Sequence, residues 1–270
     1  MPARLLALPF VLLTSLFLYL TFEVAESFST YIIPNILILA IIYTLSPQIN
    51  WWWYKRFPPD IAKPLRQLFI KQYPFYNKLS VEDKQKFRNR VALGLETIEF
   101  IPKGWEAIPE DVMGIIVANL VRMTFGQQEF LLSKFERIVI YTLPFPSPQY
   151  PDKLHASELY EEDGVLLFSA QQVMWVFAKP KQYYNLVLHE FVKAFQIQYP
   201  TKNYPILREE DWSLLEKISG LKKTQIEGVI NLPNIDPSIV SGVLYFTHPE
   251  RLYSLQPSLF EQWKACFVGI

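Results

Sequence analysis

Two long apolar runs dominate the N-terminal part of the chain. The first extends from Leu5 to Phe22 and the second from about Phe28 to Leu45, and neither contains a charged residue. A membrane-spanning helix needs about 20 predominantly apolar residues, and each run reaches that length with help from its flanks. The pattern therefore predicts a membrane hairpin within residues 1–54, with spans at 5–22 and 28–45.

Two other interpretations of the apolar runs stay open. The first run could be a cleaved signal peptide, although Val24-Ala25-Glu26 is a poor version of the small-x-small cleavage pattern. Both runs could also be helices of a soluble core. A second apolar run directly after the first favours the hairpin.

From residue 55 onward, the apolar positions follow patterns typical of a globular domain. Residues 55–72 are rich in proline and basic residues, which predicts a linker containing a short helix, and residues 73–270 form the predicted domain. Ser80, with Asp83 three residues later, is typical of a helix N-terminus. We predict helices over 80–98, 111–123, 183–198, 214–230 with a break near Gly220, 237–246 and 257–268, and strands over 137–143 and 164–169. Helices and strands in this mixed order indicate an α+β fold.

Composition excludes several classes of protein. Half of the 270 residues are hydrophobic and 16% are aromatic, which is far too apolar for a disordered chain. Cys266 is the single cysteine, so the chain is not a disulfide scaffold. Lys plus Arg equals Asp plus Glu at 26 each, so no overall charge favours binding to nucleic acid.

The local charge, unlike the overall charge, is uneven and predicts an orientation in the membrane. Residues 55–90 contain ten basic and three acidic residues, whereas the connector Glu23–Ser27 carries two acidic residues. Basic segments remain in the cytoplasm, so we expect both ends of the hairpin and the domain to be cytoplasmic and the connector to be outside. The aromatic cluster Trp51–Tyr54 is typical of an anchor at the membrane surface.

The segment with the most chemical character is Asn185–Ala194. It contains His189 followed by Glu190, as in the HExxH zinc motif, where two histidines at i and i+4 bind the metal and the glutamate acts as general base. Here the i+4 position is Lys193. An ammonium group has no lone pair and repels a metal cation.

Four segments in order resemble a known family. They are Tyr73-Pro-Phe-Tyr-Asn-Lys-Leu-Ser80, Leu186-Val-Leu-His-Glu-Phe191, Tyr245-Phe-Thr-His-Pro-Glu250 and Pro257-Ser-Leu-Phe-Glu-Gln-Trp263. Together they resemble the MtfA-like zinc-dependent peptidases, the glucose-regulated metallopeptidases of bacteria. The resemblance covers about residues 70–265, leaves the hairpin outside, and implies a zincin-like fold.

The resemblance also implies a role for four positions. The first zinc ligand of the family falls on His189, the general base on Glu190, the second zinc ligand on Lys193 and the third on Asp236. At most two of three protein ligands remain, whereas a catalytic zinc site needs three and an open position. The motif is therefore a degenerate one, and we expect zinc to be absent or weakly bound.

Three polar residues allow more than one interpretation. His155 lies in a polar loop, where we expect it to be solvated, and His248 is a surface or capping histidine or else a replacement metal ligand. Lys193 either forms an ordinary helix-face ion pair with Glu190 or holds Glu190 and Asp236 together in place of a metal.

The sequence therefore predicts a membrane-anchored pseudoenzyme with a zincin-like domain. We expect it to bind a cytoplasmic protein or peptide partner in the former substrate cleft, because the resemblance includes a relative that sequesters a transcriptional repressor. An active zinc-dependent metallopeptidase with a substituted ligand set is the alternative. A membrane scaffold with a vestigial cleft is the third possibility.

Overall fold

The computed structural model of the protein describes residues 2–267. Val268, the predicted end of the last helix, and the outer ends of the predicted segments 1–54 and 73–270 lie outside the described residues. Contacts between residues divide the chain after Pro59 into two units. The buried side chains of Leu65 and Phe69, within the segment predicted as a linker, belong to the second unit.

The first unit consists of helices packed as a hairpin. Helices α1 (Pro2–Glu23) and α2 (Ile32–Thr44) pack against each other, with the 3-10 helix Glu26–Tyr31 between them and α3 (Ser46–Arg56) after them. The Trp51–Tyr54 cluster thus lies on a third helix. The segments Pro2–Glu23 and Glu26–Thr44 are long and apolar enough to cross a membrane, and most of their large apolar side chains are exposed. This is a weak indication of a membrane protein, because an N-terminal signal sequence has the same length and composition.

The second unit combines helices with a small sheet. Its helices are α4 (Lys63–Gln72), α5 (Pro74–Lys78), α6 (Val81–Thr97), α7 (Glu110–Met123), α8 (Ala170–Ala178), α9 (Leu186–Gln198), α10 (Trp212–Ser219), α11 (Lys223–Ile230), α12 (Pro237–Thr247), α13 (Pro249–Leu255) and α14 (Pro257–Phe267). Its strands are β1 (Glu99–Lys103), β2 (Arg137–Tyr141), β3 (Ser157–Tyr160) and β4 (Val165–Ser169). The mixed α and β content agrees with the α+β class indicated by the sequence.

The sheet has the strand order β1-β2-β4-β3. β1, β2 and β4 run parallel, and the edge strand β3 runs antiparallel to β4. Ile140 and Phe168 are buried on one face, and the ring centroid of Phe168 lies 6.2 Å from that of Phe191 on α9. Ser157 lies opposite Phe168 in the register, so its side chain points to the same face. Helix α9 therefore packs on the face of the sheet to which the side chain of Ser157 points.

Capping residues lie at two helix ends that the sequence predicted. Ser80 Oγ accepts a hydrogen bond from the amide of Asp83 at 3.0 Å and begins α6. Gly220 has a φ of 76° and lies between α10 and α11, which confirms the predicted break. A left-handed residue of this kind is a common helix terminator.

Two strands and four helices were missing from the predicted set: β1, β3, α3, α5, α8 and α13. β3 has only four residues, and α8 begins directly after β4 without a separating turn. β1 contains Pro102, which lowers its strand propensity, yet an edge strand tolerates proline. The strand predicted over 137–143 ends earlier, at Tyr141.

The backbone of helix α12 closely approaches α9 at Gly242. A Cβ atom added to Gly242 would lie 2.9 Å from Trp263 and 3.0 Å from Val192, so a larger residue does not fit. The indole Nε1 of Trp263 donates a hydrogen bond to Ser241 Oγ at 2.9 Å. α12 is thereby fixed between α9 and α14.

Candidate active-site cavity

Helix α9 carries His189, Glu190 and Lys193. Its N-terminus is capped by Asn185, whose Oδ1 accepts a hydrogen bond from the amide of Leu188 at 2.9 Å. Every residue from Leu186 to Val192 is buried, because α9 packs against α7, α12 and β3. The polar side chains of α9 are therefore held within a packed helix and not on a mobile loop.

His189 is buried and contacts Tyr184. The Tyr184 hydroxyl lies 2.9 Å from Nδ1 of His189. Burial lowers the pKa of His189 to about 4, with a further lowering by Lys193, while Glu190 and Asp236 act in the opposite direction. The imidazole is therefore neutral at neutral pH. Its Nε2 presents a lone pair when Nδ1 carries the hydrogen and donates it to Tyr184.

Glu190 is fully buried, and both of its carboxylate oxygens have hydrogen-bond donors. Ser157 Oγ donates to Oε1 at 2.8 Å, and Lys193 Nζ donates to Oε2 at 2.9 Å. Burial by itself would raise the pKa of Glu190, but Lys193, His189 and these hydrogen bonds lower it below its ordinary value. Glu190 is therefore an ionised carboxylate engaged on both sides.

The contacts of Lys193 decide between the two interpretations of this residue that the sequence left open. Its side chain is 32% exposed and forms the ion pair with Glu190. Among residues 2–267, no ion pair joins Lys193 to Asp236, so the idea that the ammonium holds both carboxylates together is wrong. The simpler helix-face pair is present, but its acidic partner is buried and not solvated.

Asp236 lies at the start of α12. Its Oδ1 accepts a hydrogen bond from the amide of Ser238 at 2.7 Å, which makes it the N-cap of that helix. The carboxylate is close enough to His189 to raise the pKa of the imidazole. Asp236, His189, Glu190 and Lys193 thus face the same space.

That space is a cavity of about 450 Å³. The four residues contribute its polar lining, and Ile230 and the residues from Leu232 to Ile235 line it as well. Ile197 and Ile239 contribute apolar surface. A volume of this size lies within the range of about 300–1,000 Å³ that is usual for ligand sites.

The two other histidines lie outside this cavity. The expectation that His155 is solvated is wrong, because the residue is buried. Its Nε2 lies 2.8 Å from Glu158 Oε2, and its Nδ1 lies 3.1 Å from the carbonyl of Lys153. The β3 strand, which the sequence did not predict, explains the burial, because His155 enters the sheet edge just before it. His248 follows α12 and lines a different cavity, so it does not replace a ligand beside His189.

The donor set of the cavity does not fit a catalytic zinc ion. His189 Nε2 and the Asp236 carboxylate are the candidate ligands predicted from the sequence, and the second ligand position holds the Lys193 ammonium, which donates a hydrogen bond to the base Glu190. Within the described part of the chain, no group of three or more His, Cys, Asp or Glu is placed to hold a metal ion. Three protein ligands are required for a catalytic site.

Ser157 and Tyr184 are the site residues that sequence reasoning missed. Each contacts a motif residue through one hydrogen bond, Ser157 from the unpredicted strand β3 and Tyr184 from the turn before α9. Neither belongs to a spacing pattern with His189 or Glu190. No signal in the sequence marks them.

Comparison with known proteins identifies the family. The sequence matches the glucose-regulated metallo-peptidase M90 family over residues 49–211, more than half of the chain, and the chain belongs to this family. The match includes His189, Glu190 and Lys193 but ends before Asp236. This confirms the resemblance to MtfA-like peptidases.

One relative is an uncharacterized protein of Synechocystis sp.. It is 22% identical over 215 residues, which cover 74% of this chain and 78% of the relative. The similarity extends over most of both chains, and no activity of this relative is known from its name.

Proposed function

We propose that this protein is a membrane-anchored, zincin-like member of the M90 family whose cavity binds a peptide segment without cleaving it. The observation that carries the proposal is the position of Lys193 Nζ, 2.9 Å from Glu190 Oε2. The lysine occupies the second ligand position and at the same time engages the general base.

The charge of Glu190 argues against peptidase chemistry. A general base in a metallopeptidase takes a proton from water, and the efficiency of this step is greatest when the pKa of the base lies near the working pH. The pKa of Glu190 is lowered, and both of its oxygens already accept hydrogen bonds. Such a carboxylate is a weak base, and each of its oxygens is already engaged by a protein donor.

The lining of the cavity supports binding of a peptide. Ile197, Ile230 and Ile239 offer apolar contacts, whereas Asp236 and the ion pair of Lys193 with Glu190 offer charged groups. A peptide segment presents the same combination of apolar side chains and main-chain donors and acceptors.

Family membership supports the alternative, an active zinc metallopeptidase in which a substituted set of ligands holds the metal. His189 and Asp236 line the same cavity and supply two of the ligands such a site needs. The zinc content of the protein separates the two proposals.

The decisive experiment measures zinc per chain in the full-length protein purified in detergent, together with cleavage of casein. We expect substoichiometric zinc and no cleavage for the unmodified chain. Lys193→His restores two histidines at i and i+4 on one helix face, so it should gain zinc, and adding Asp236→Ala should remove that gain. Gln196→His is the matched control, since it adds a histidine to the same cavity seven residues from His189. Stoichiometric zinc in the unmodified chain, lost in His189→Ala, would establish the metallopeptidase instead.

Binding is tested separately with a fluorescent library of unstructured peptides and the full-length protein. Ile197→Trp fills the cavity and should weaken binding at least about tenfold, because the substitution removes the space for an apolar side chain. Ile206→Trp is the control, since Ile206 is 88% exposed and lies away from the cavity lining. Equal binding by both variants would exclude the cavity as the peptide site.

A further inference from the structure

A second cavity, of about 280 Å³, lies at the N-terminal end of α9 and shares no lining residue with the first. Val187 lines this second cavity and His189 lines the first. The two residues are two positions apart, so their side chains point about 200° apart around the helix. The second cavity therefore lies on the other side of α9 from the candidate active site.

The walls of the second cavity are mainly apolar and aromatic. Tyr73 and Phe75 line one side, Val176 and Phe177 of α8 line another, and Ile115 lies between them on α7. Most of these side chains belong to the core, so the cavity is shaped by packed elements and not by a surface loop. This is the kind of lining found in sites for small organic molecules.

The polar residues of this cavity are positively charged or neutral. Arg122 and Lys181 line it, and none of its described lining residues is Asp or Glu. The pKa of His248, also in the lining, is lowered by burial and by the nearby Arg251 and Arg122. Across the part of the chain that the structure describes, no carboxylate is paired with Arg122 or Lys181.

Arg122 is held in place but keeps an unused donor. One of its terminal nitrogens donates to the carbonyl of Phe246, and its guanidinium carbon lies 5.4 Å from the centre of the Phe75 ring. Burial raises the pKa of the nearby Tyr73 hydroxyl to about 12, and the charge of Arg122 acts in the opposite direction. Its Nε is buried and has no hydrogen-bond partner among residues 2–267. A buried donor of this kind is normally satisfied.

We propose that the second cavity binds a small apolar monocarboxylate, with Arg122 holding the carboxylate and the aromatic walls holding the hydrocarbon part. A single negative charge matches the partly buried guanidinium, which offers a planar set of N–H donors suited to a carboxylate. A multiply charged phosphate fits less well, because most of the lining is apolar and Lys181 is exposed. The site is separate from the proposed peptide cavity and does not depend on it.

The proposal is tested by calorimetric titration of the full chain in lipid nanodiscs. The probe is 3-phenylpropionate, and 3-phenylpropan-1-ol is its neutral counterpart of similar size. Titration into empty nanodiscs corrects for partitioning into lipid. We expect the carboxylate to bind at least about tenfold more tightly than the alcohol, because its charge is paired in the cavity. Equal affinities of acid and alcohol would overturn the proposal.

Variants locate the binding. Arg122→Met keeps the apolar stem and should weaken 3-phenylpropionate at least about tenfold while leaving the alcohol unchanged. Lys181→Met should weaken the acid about two- to threefold, because the exposed lysine contributes less. Lys179→Met is the matched control, an exposed lysine two residues away that does not line the cavity. If Arg122→Met does not fold, the two lysine variants decide: equal affinities in Lys181→Met and Lys179→Met overturn the proposal.

Discussion

Lys193 Nζ and Glu190 Oε2 lie 2.9 Å apart, one turn along the same helix, and the two side chains differ sharply in exposure. The glutamate is fully buried, whereas about a third of the lysine is exposed. A buried carboxylate is costly unless it is paired and hydrogen-bonded. The lysine therefore stabilises the fold by compensating a charge that the helix places in the core.

Replacing only the lysine of this ion pair should destabilise the folded protein. Lys193→Met leaves Glu190 with Ser157 as its remaining hydrogen-bond donor, and we expect a loss of about 1–3 kcal/mol in the free energy of unfolding, less than for a fully buried pair. The double variant Lys193→Met with Glu190→Gln should recover most of the loss, because no buried charge remains. Urea unfolding of the full-length protein in detergent measures both.

The control for this prediction is Lys264→Met. Lys264 pairs with Glu261 at 3.2 Å, but both side chains are about half exposed. We expect no measurable change in stability there, since exposed pairs contribute little. Equal effects of Lys193→Met and Lys264→Met would show that the burial of Glu190 does not matter.

Two buried serines on neighbouring strands should respond differently to the same substitution. Ser157 donates to Glu190, whereas Ser169 Oγ has no hydrogen-bond partner in the described residues. Ser157→Ala should cost about 1–2 kcal/mol, because it leaves a carboxylate oxygen unsatisfied, and Ser169→Ala should be neutral or stabilising. Thermal unfolding compares the two variants directly. A larger loss in Ser169→Ala would contradict the assignment of the Glu190 contact.

Stability should fall as the pH decreases from about 6.5 to about 4. The pKa of His189 drops from an ordinary 6.5 to about 4 in the folded protein. A depressed folded pKa contributes stability above the unfolded pKa, and that stability is lost as the pH falls, because the unfolded chain binds the proton first. The His189 contribution at neutral pH amounts to about 3 kcal/mol.

This dependence is checked by measuring the free energy of unfolding between pH 7 and pH 5. The unmodified chain should lose more stability over this interval than His189→Gln, which has no imidazole to titrate. His248→Gln serves for comparison, because the pKa of His248 is also lowered and acts in the same direction. Identical slopes for the unmodified chain and His189→Gln would exclude a buried neutral His189.

The proposed orientation in the membrane places Ser27 outside the cell and Asn77 in the cytoplasm. Cys266 is the single cysteine and is buried, so Cys266→Ser provides a background for adding single cysteines at Ser27 or Asn77. In intact cells, a membrane-impermeant maleimide should label the first site and not the second until the cells are opened. Labelling of the second site in intact cells, or loss of the first span by cleavage, would reject the hairpin with cytoplasmic ends.

Sequence patterns predicted the helices with local signals and missed the elements without them. Ser80 and Gly220 act through short-range capping and turn geometry, which the chain encodes within a few residues. β3 has no such signal, because a four-residue edge strand depends on its neighbour β4 for its hydrogen bonds. The missed strand β3 therefore depends on tertiary contacts, whereas the missed helices α5 and α13 begin with a proline and are only five and seven residues long.

The residues of the candidate site also fall into those with a local signal in the sequence and those without one. His189, Glu190 and Lys193 were found because they share one helix and one motif. Ser157 lies 33 residues from Glu190, and Tyr184 precedes the motif, so only the packed structure brings their hydroxyl groups to the site. The burial of His155 was missed for the same reason, since it depends on the sheet edge and not on the polar residues around it in the sequence.

The close approach at Gly242 has a consequence for the order in which parts of the chain fold during synthesis. Trp263 of α14 packs on Gly242 and, through α12, supports the back of α9. Domains generally fold as units during synthesis, the N-terminal one first. The apolar hairpin can therefore enter a membrane while the helix with His189 and Glu190 still lacks its support, and the cavity takes its final shape only after α14 has been translated.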